Sequence, residues 1–243
     1  MTTVVNAAGT KWPKYVPPLS AHQRAISDDF MRVWHEYLPR YAAICQFNHK
    51  WVVDNGSCPC GMAQCRTLEL GAGLGDHIAY EPSNRNYVAV EVRENMAEQI
   101  RRRFHRVDVW AIDCQNELPF PDQHFHRIIA IHLLEHLPDL PAAIQEAHRL
   151  CHPRGVFQVV IPCEGGLAYS FCRRISAQRI FEKRYRESYK WFIEREHINR
   201  PTEIMEELVP YFDVVKRSYF PLRVPVESVN LCIAMNLRPK ERN

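Results

Sequence analysis

Three glycines at alternate positions close the run Leu68-Glu69-Leu70-Gly71-Ala72-Gly73-Leu74-Gly75-Asp76. Glycine reaches backbone conformations that other residues avoid, so such a loop turns sharply and brings the main chain close to a ligand. A helix starting just beyond it would add backbone N–H groups and a positive dipole end. Asp76 and His77 follow Gly75, which makes the spacing G-x-G-x-G and not the G-x-G-x-x-G of dinucleotide sites. Further polar residues stand where later apolar runs end. Glu91 and Val92 close the run from Tyr87, and Asp113-Cys114 follow Val107–Ile112. His132 and His136 follow Arg127–Ile131, and Glu164 follows Val156–Ile161. Carboxylates in such places accept hydrogen bonds from hydroxyls or amines, and His or Glu can take a proton.

These residues need elements to hold them. Short apolar runs at Thr67–Leu70, Tyr87–Val92, Val107–Ile112, Arg127–Ile131 and Val156–Ile161 predict five strands. Between them, Met96, Ile100 and Phe104 mark a helix over Glu94–Phe104, and a short helix is expected after the glycine loop. Leu140, Ile144, Ala147 and Cys151 mark another, starting near Asp139 with Pro141 early and ended by Pro153 and Gly155. Alternation at this spacing predicts a mostly parallel sheet with helices on both faces. Right-handed crossovers then bring the loops after the strands to one edge, where ligands bind. A long helical insert, Tyr169–Ile193, and a helix at Pro201–Leu208 follow. The runs Val214–Phe220 and Leu231–Met235 are too close to enclose a helix, so they should pair antiparallel and bring the sheet to seven strands. Ahead of the sheet, residues 1–20 contain Pro13, Pro17 and Pro18 and predict an irregular arm. Residues 20–53 predict two helices broken near Pro39. The organisation is an arm with lid helices over 1–53, then one α/β domain over 54–243 with a helical insert at 165–210.

The ordered combination resembles the class I S-adenosylmethionine-dependent methyltransferases, in the style of their ubiquinone/menaquinone-type small-molecule branch. The likeness rests on the glycine loop, on Tyr87-Val88-Ala89-Val90-Glu91, on Asp113-Cys114, and on Ile131-His132-Leu133-Leu134-Glu135-His136-Leu137. It covers about residues 67–162. It implies a Rossmann-like fold and S-adenosylmethionine as cofactor, held by Glu69, Gly71, Ala72, Gly73, Gly75, Glu91, Val92, Asp113, Cys114 and His132. Glu69 would neighbour the methionine amino end, Glu91 would accept from both ribose hydroxyls, and Asp113 would accept from the adenine amine. His126 stands where the family usually has Asp and is read as structural.

Methyl transfer from a sulfonium is an in-line displacement from an activated donor, so a protein mainly aligns the acceptor and excludes water. His132 and Glu164, at the carboxyl edge, are the candidate catalytic residues. His136 is read as a packed or capping residue. His49 is a candidate to close over the site, and His197 either joins it or anchors the next helix. Arg179, Lys183, Arg186 and Lys190 are spaced to share one helix face, with Ala177, Phe181, Tyr185 and Tyr189 opposite. That pattern reads as a helix packed by its aromatic side and solvated on its basic side. The alternative is a basic wall for an anionic acceptor.

A net charge of +3 and basic and aromatic faces that point apart argue against nucleic acid, leaving a small-molecule acceptor as the expected partner. An RNA or protein methyltransferase, and a non-catalytic protein that keeps the fold, are the alternative readings. Nine cysteines, an odd number without a CxxC, predict reduced thiols in a cytoplasmic protein. Cys58, Cys60 and Cys65, with Cys45 and His49 nearby, do not match a structural-zinc spacing, so no metal is expected. No leader peptide or membrane-spanning run is read.

Overall fold

The computed structural model of the protein describes residues 11–37, 41–56, 58, 64–82 and 86–242. The expected break at Pro39, the first half of the arm, and Cys60 lie outside them. Seven strands form one sheet: β1 (Thr67–Leu70), β2 (Tyr87–Val90), β3 (Asp108–Trp110), β4 (Phe125–Ile131), β5 (Cys151–Pro162), β6 (Phe212–Phe220) and β7 (Cys232–Pro239). Their order is β3-β2-β1-β4-β5-β7-β6. β1 to β5 run parallel, and β7 lies antiparallel to both β5 and β6. Strand order reverses between β1 and β4, which is where an open sheet of this kind leaves a crevice.

The helices are α1 (Ala21–Tyr37), α2 (Ala42–Asp54), α3 (Glu94–Arg103), α4 (Leu140–Leu150), α5 (Leu167–Arg173), α6 (Arg179–Tyr185), α7 (Lys190–Glu196) and α8 (Pro201–Leu208). One sheet face buries Leu68, Leu70, Ile128 and Phe157 against Ile144 and Ala147 of α4 and Ile204 and Leu208 of α8. Each such aliphatic side chain contributes roughly 1.5–3 kcal/mol by leaving water. The Asp139 carboxylate caps α4 by accepting from Ala142 N–H at 3.3 Å, as its place before Pro141 predicts. On the other face Val52 of α2 packs on Ile129, Val160 and Ala234, while Ile100 of α3 packs near Ala72, Tyr87 and Ala89. A buried polar network locks α2 to this face. Arg127 Nη1 donates to Glu81 at 2.8 Å, Arg127 Nε to Gln158 at 2.5 Å, and Gln158 Nε2 to the Val52 carbonyl at 3.0 Å.

Four local expectations change. The helix after the glycine loop is a single 3-10 turn, Ile78–Tyr80, because the chain must return to β2 at Tyr87 and Pro82 stops any extension. β5 starts directly at Cys151, so Pro153 and Gly155 lie in its irregular first half and do not terminate α4 from outside. A β-carbon at Gly155 would lie 2.8 Å from the His126 carbonyl, which explains glycine there. β2 and β3 are shorter than their apolar runs. The insert is not one helix. α5 passes through a π turn, Arg174–Gln178, into α6, and then Arg186 takes a left-handed φ of +59° and turns the chain into α7.

The four basic residues of the insert therefore do not share a face, since the turn at Arg186 separates Lys190 from Arg179 and Lys183. The aromatic stripe behaves as its spacing predicts. Ala177, Phe181 and Tyr189 are buried with Ile26 and Phe30 of α1 and Phe192 of α7, and the Phe30 and Phe181 rings meet edge-on at 5.0 Å. This second small core fastens α1 to the insert. Among the described residues no helix is long and apolar enough to cross a membrane.

Candidate functional site

Gly71, Gly73 and Gly75 all lie in the left-handed region, at φ +66°, +57° and +77°. That conformation costs other L-residues about 1–2 kcal/mol, which is the physical reason for glycine at alternate positions. Their surroundings differ. A β-carbon at Gly71 would stand 2.5 Å from Leu133 Cδ1, and one at Gly75 would stand 3.0 Å from Phe104. At Gly73 nothing lies within 4 Å, so the open side of the loop is here. Ala72 turns its methyl into the core beside Ile78 and donates its N–H to the Val90 carbonyl at 3.0 Å. Only its main chain is available to a ligand.

Glu91 ends β2 beneath this loop. Its Oε2 accepts from Gly73 N–H at 2.9 Å, and its Oε1 accepts from Arg93 N–H at 3.1 Å and Arg93 Nε at 2.8 Å. A carboxylate offers about four acceptor positions, so three donors leave about one free. The Arg93 side chain is 47% exposed and can swing away to release a second. Val92, next along, is 61% exposed.

Asp113 follows β3 and accepts at Oδ1 from Gln115 N–H at 2.9 Å and from Gln115 Nε2 at 3.0 Å. It thus caps its own turn, while its second oxygen is held only by the same amide at 3.1 Å. Cys114 points into the core, where burial pushes its thiol up to about 12. Glu69 is sealed under the sheet with Tyr87 Oη donating to it at 2.8 Å, and burial raises its carboxyl to about 7.

The crevice's other wall is a connected polar cluster. His132 leaves β4 in the left-handed region at φ +50°, a conformation that costs any residue with a β-carbon, and donates its N–H to the Val160 carbonyl at 2.9 Å. Its Nδ1 lies 3.1 Å from Glu135 Oε1, its Nε2 lies 2.8 Å from Asn48 Nδ2 of α2, and Cys232 Sγ of β7 lies 3.9 Å away. Burial disfavours the charged imidazole, but the Cys232 and Glu135 contacts outweigh it and raise His132 to about 10. Glu135 is buried; burial alone would raise its carboxyl, but His132 and the neighbouring imidazoles hold it at about 2.

Glu164 extends the cluster. Its Oε2 lies 2.9 Å from His197 Nδ1, and its Oε1 accepts from Arg173 of α5. Burial would raise this carboxyl, yet His197 and Arg173 bring it below its ordinary value. The His136 and His197 rings meet edge-on at 5.0 Å. His49 is apart from this cluster. It stacks on Tyr80 at 4.9 Å, beside the turn after the glycine loop, and burial holds it near 3 and neutral. His126 accepts from Arg66 N–H at 3.3 Å at the far end of β4, which fits its structural reading.

The structure thus brings His132, His136, Glu164 and His197 together, and adds four residues that sequence reasoning missed. Glu135 had a signal, since His132-x-x-Glu135 puts both on one helical turn. Asn48, Arg173 and Cys232 had none, because each arrives from an element distant in the chain. All of these groups sit at the carboxyl edge, across the strand-order reversal from Gly73.

A family model described as "Methyltransferase domain" matches residues 68–159. A Mycolicibacterium smegmatis protein described as "Probable S-adenosylmethionine-dependent methyltransferase" is 33% identical over 98 residues, 39% of this chain and 37% of that protein. The chain therefore aligns to little more than a third of that relative's length. Among solved structures, the YcgJ protein from Bacillus subtilis superposes with TM-score 0.58 at 15% identity, covering 82% of this chain and 100% of that one. The [4+2]-cyclase SpnF superposes with TM-score 0.53 at 16% identity, covering 82% and 79%. Likeness at such low identity establishes the fold, and residues 68–159 are similar to the methyltransferase-domain family model.

Proposed function

We propose that the protein is an S-adenosylmethionine-dependent methyltransferase acting on a small-molecule acceptor. The observation that carries this reading is the open side of Gly73, whose N–H is tied to the Glu91 carboxylate within the matched segment. The residues fit the cofactor. A positive-φ loop with room at its middle glycine admits a ligand against its main chain, and an acceptor-only carboxylate beside it suits a vicinal diol. When bound, the cofactor supplies a methyl group already activated on sulfur.

The chain's own residues then do the rest. Glu91 holds the ribose once Arg93 yields, and Asp113 offers its second oxygen to the adenine amine. Val92 and the Cys114 main chain flank them, and the enclosed Glu69 supports the loop from below. On the acceptor side His132 and Glu164 orient the acceptor and do not remove its proton. The Glu135 carboxylate at Nδ1 favours the charged form of His132, and a carboxyl held low is a weak base.

A small acceptor is supported by the cover over this edge. α2 reaches His132 through Asn48, and α5 reaches Glu164 through Arg173, so the helices of residues 1–53 and the insert act as a lid that excludes water. The insert's basic residues give no support to an anionic acceptor, since they are exposed on the outer surface and split by the turn at Arg186.

The fold also serves a cyclase, so binding and transfer need separate tests. Calorimetry with S-adenosylmethionine, S-adenosylhomocysteine and NAD should give micromolar binding of the first two, about −8 kcal/mol, and none of NAD. Transfer of labelled methyl to an acceptor pool should then yield a labelled small molecule. Binding of NAD alone would remove the cofactor reading, and label found only in RNA or protein would remove the acceptor reading.

A further inference from the structure

We propose that Glu135, His136 and His197 form a binding site for one divalent transition-metal ion, with Zn2+ the best fit. The proposal does not depend on the methyltransferase reading. One ligand atom from each residue lies within 4.8 Å of the other two. Ligand atoms on a tetrahedral Zn2+ sit roughly 3.3–3.6 Å apart, given bonds of about 2.0–2.2 Å. Glu135 Oε1 and His136 Nε2 are already 3.9 Å apart, and the His136 side chain is 34% exposed.

Two independent features distinguish this cluster from a chance grouping. First, Glu135 is 1% exposed, and its Oε2 has no hydrogen-bond partner in the protein. A buried carboxylate oxygen without a partner is costly unless something else satisfies it. Second, each imidazole already has a carboxylate behind it. His197 Nδ1 lies 2.9 Å from Glu164 Oε2, and His136 Nδ1 lies 3.8 Å from Glu196 Oε2. The hydrogen bond to Glu164 leaves Nε2 as the available ligand atom of His197, and in His136 it is Nε2 that faces Glu135. A carboxylate behind a histidine fixes its tautomer and raises its basicity, the usual support of metal-binding histidines.

Two imidazoles and one carboxylate suit Zn2+ chemically and leave a fourth position open. His136 and Glu196 also line a cavity of about 230 Å³ with Val16, Pro138 and Arg195, so the cluster borders open space on its His136 side. Glu135 also contacts His132, so an ion here would stand on the acceptor side of the crevice, able to hold an oxygen or nitrogen of the acceptor.

The test uses the full chain, stripped with a chelator and titrated with Zn2+ against a chromophoric competitor. One equivalent should bind with submicromolar affinity. His197→Ala should weaken binding at least 100-fold, and Glu164→Gln, which weakens the support of His197 and the pair with Arg173, about 10–100-fold. Co2+ loading should give visible d–d absorption that His197→Ala abolishes. The variant Cys45→Ser/Cys58→Ser/Cys60→Ser should keep both the stoichiometry and the spectrum. Thermal unfolding of each variant without metal checks that it folds, and Glu164→Gln keeps the test open if His197→Ala does not. Absence of stoichiometric binding, unchanged affinity in both site variants, or loss of binding in the cysteine variant would each overturn the proposal.

Discussion

Replacing Gly73 with alanine separates the conformational role of the glycine loop from its ligand role. At φ +57° the new side chain pays left-handed strain of about 1–2 kcal/mol, but its β-carbon meets nothing within 4 Å. For a chain of 243 residues that corresponds to a fall in Tm of roughly 2–8 °C. Gly71→Ala carries similar strain at φ +66° and also drives a β-carbon to 2.5 Å from Leu133, adding about 1–3 kcal/mol of overpacking. The stability order should therefore be wild type, Gly73→Ala, Gly71→Ala. Ligand binding should tell a different story for the milder variant. The open side of Gly73 is where the cofactor is proposed to lie, so the methyl group should cut S-adenosylhomocysteine affinity at least about tenfold, or 1.4 kcal/mol. Calorimetry and thermal unfolding on the same samples measure both quantities. If Gly73→Ala loses the expected stability yet binds the ligand within about twofold of wild type, the space beside Gly73 is not the ligand's and the site assignment fails.

Glu91→Gln should weaken S-adenosylhomocysteine binding by about 1.5–3 kcal/mol, the scale of a charged hydrogen bond, with a far-UV spectrum unchanged. Arg127→Met should destabilise the protein by about 3–5 kcal/mol in denaturant unfolding, because it leaves the buried Glu81 with His77 as its remaining partner, whereas the double variant Arg127→Met/Glu81→Leu should recover part of the loss. The His132–Glu135 pair sets a pH window. His132 is raised to about 10, so its contribution is complete below about 6.5 and is lost as pH rises through 10. Glu135 is lowered to about 2, so its contribution is complete above about 4.5 and is lost as pH falls through 2. Glu135→Gln should bring the NMR titration of His132 down toward its ordinary range, and an unchanged midpoint would refute Glu135 as the cause.

Much of the framework was legible in the chain. Continuous apolar runs, the Asp139 cap with Pro141, and the short gap after Phe220 predicted the parallel strands, α4 and the antiparallel partner, because each depends on local period or chain length. The alternating glycines announced the loop for the same reason, since left-handed backbone is a property of single residues. Element ends were less legible where a neighbour decided them. The turn at Arg186 breaks the insert so that Phe181, Tyr189 and Phe192 can all face Phe30, and no helical period encodes that packing.

The candidate site divides along the same line. By itself, the sequence determined which residues stand at strand ends, and so placed His132 and Glu164 at the carboxyl edge. The tertiary structure alone decided their states. Asn48, Arg173, His197 and Cys232 arrive there from α2, α5, the segment after α7 and β7. Charge state follows from neighbours and burial, which are sums over space. Strand ends follow from residue order, which the chain carries along its length.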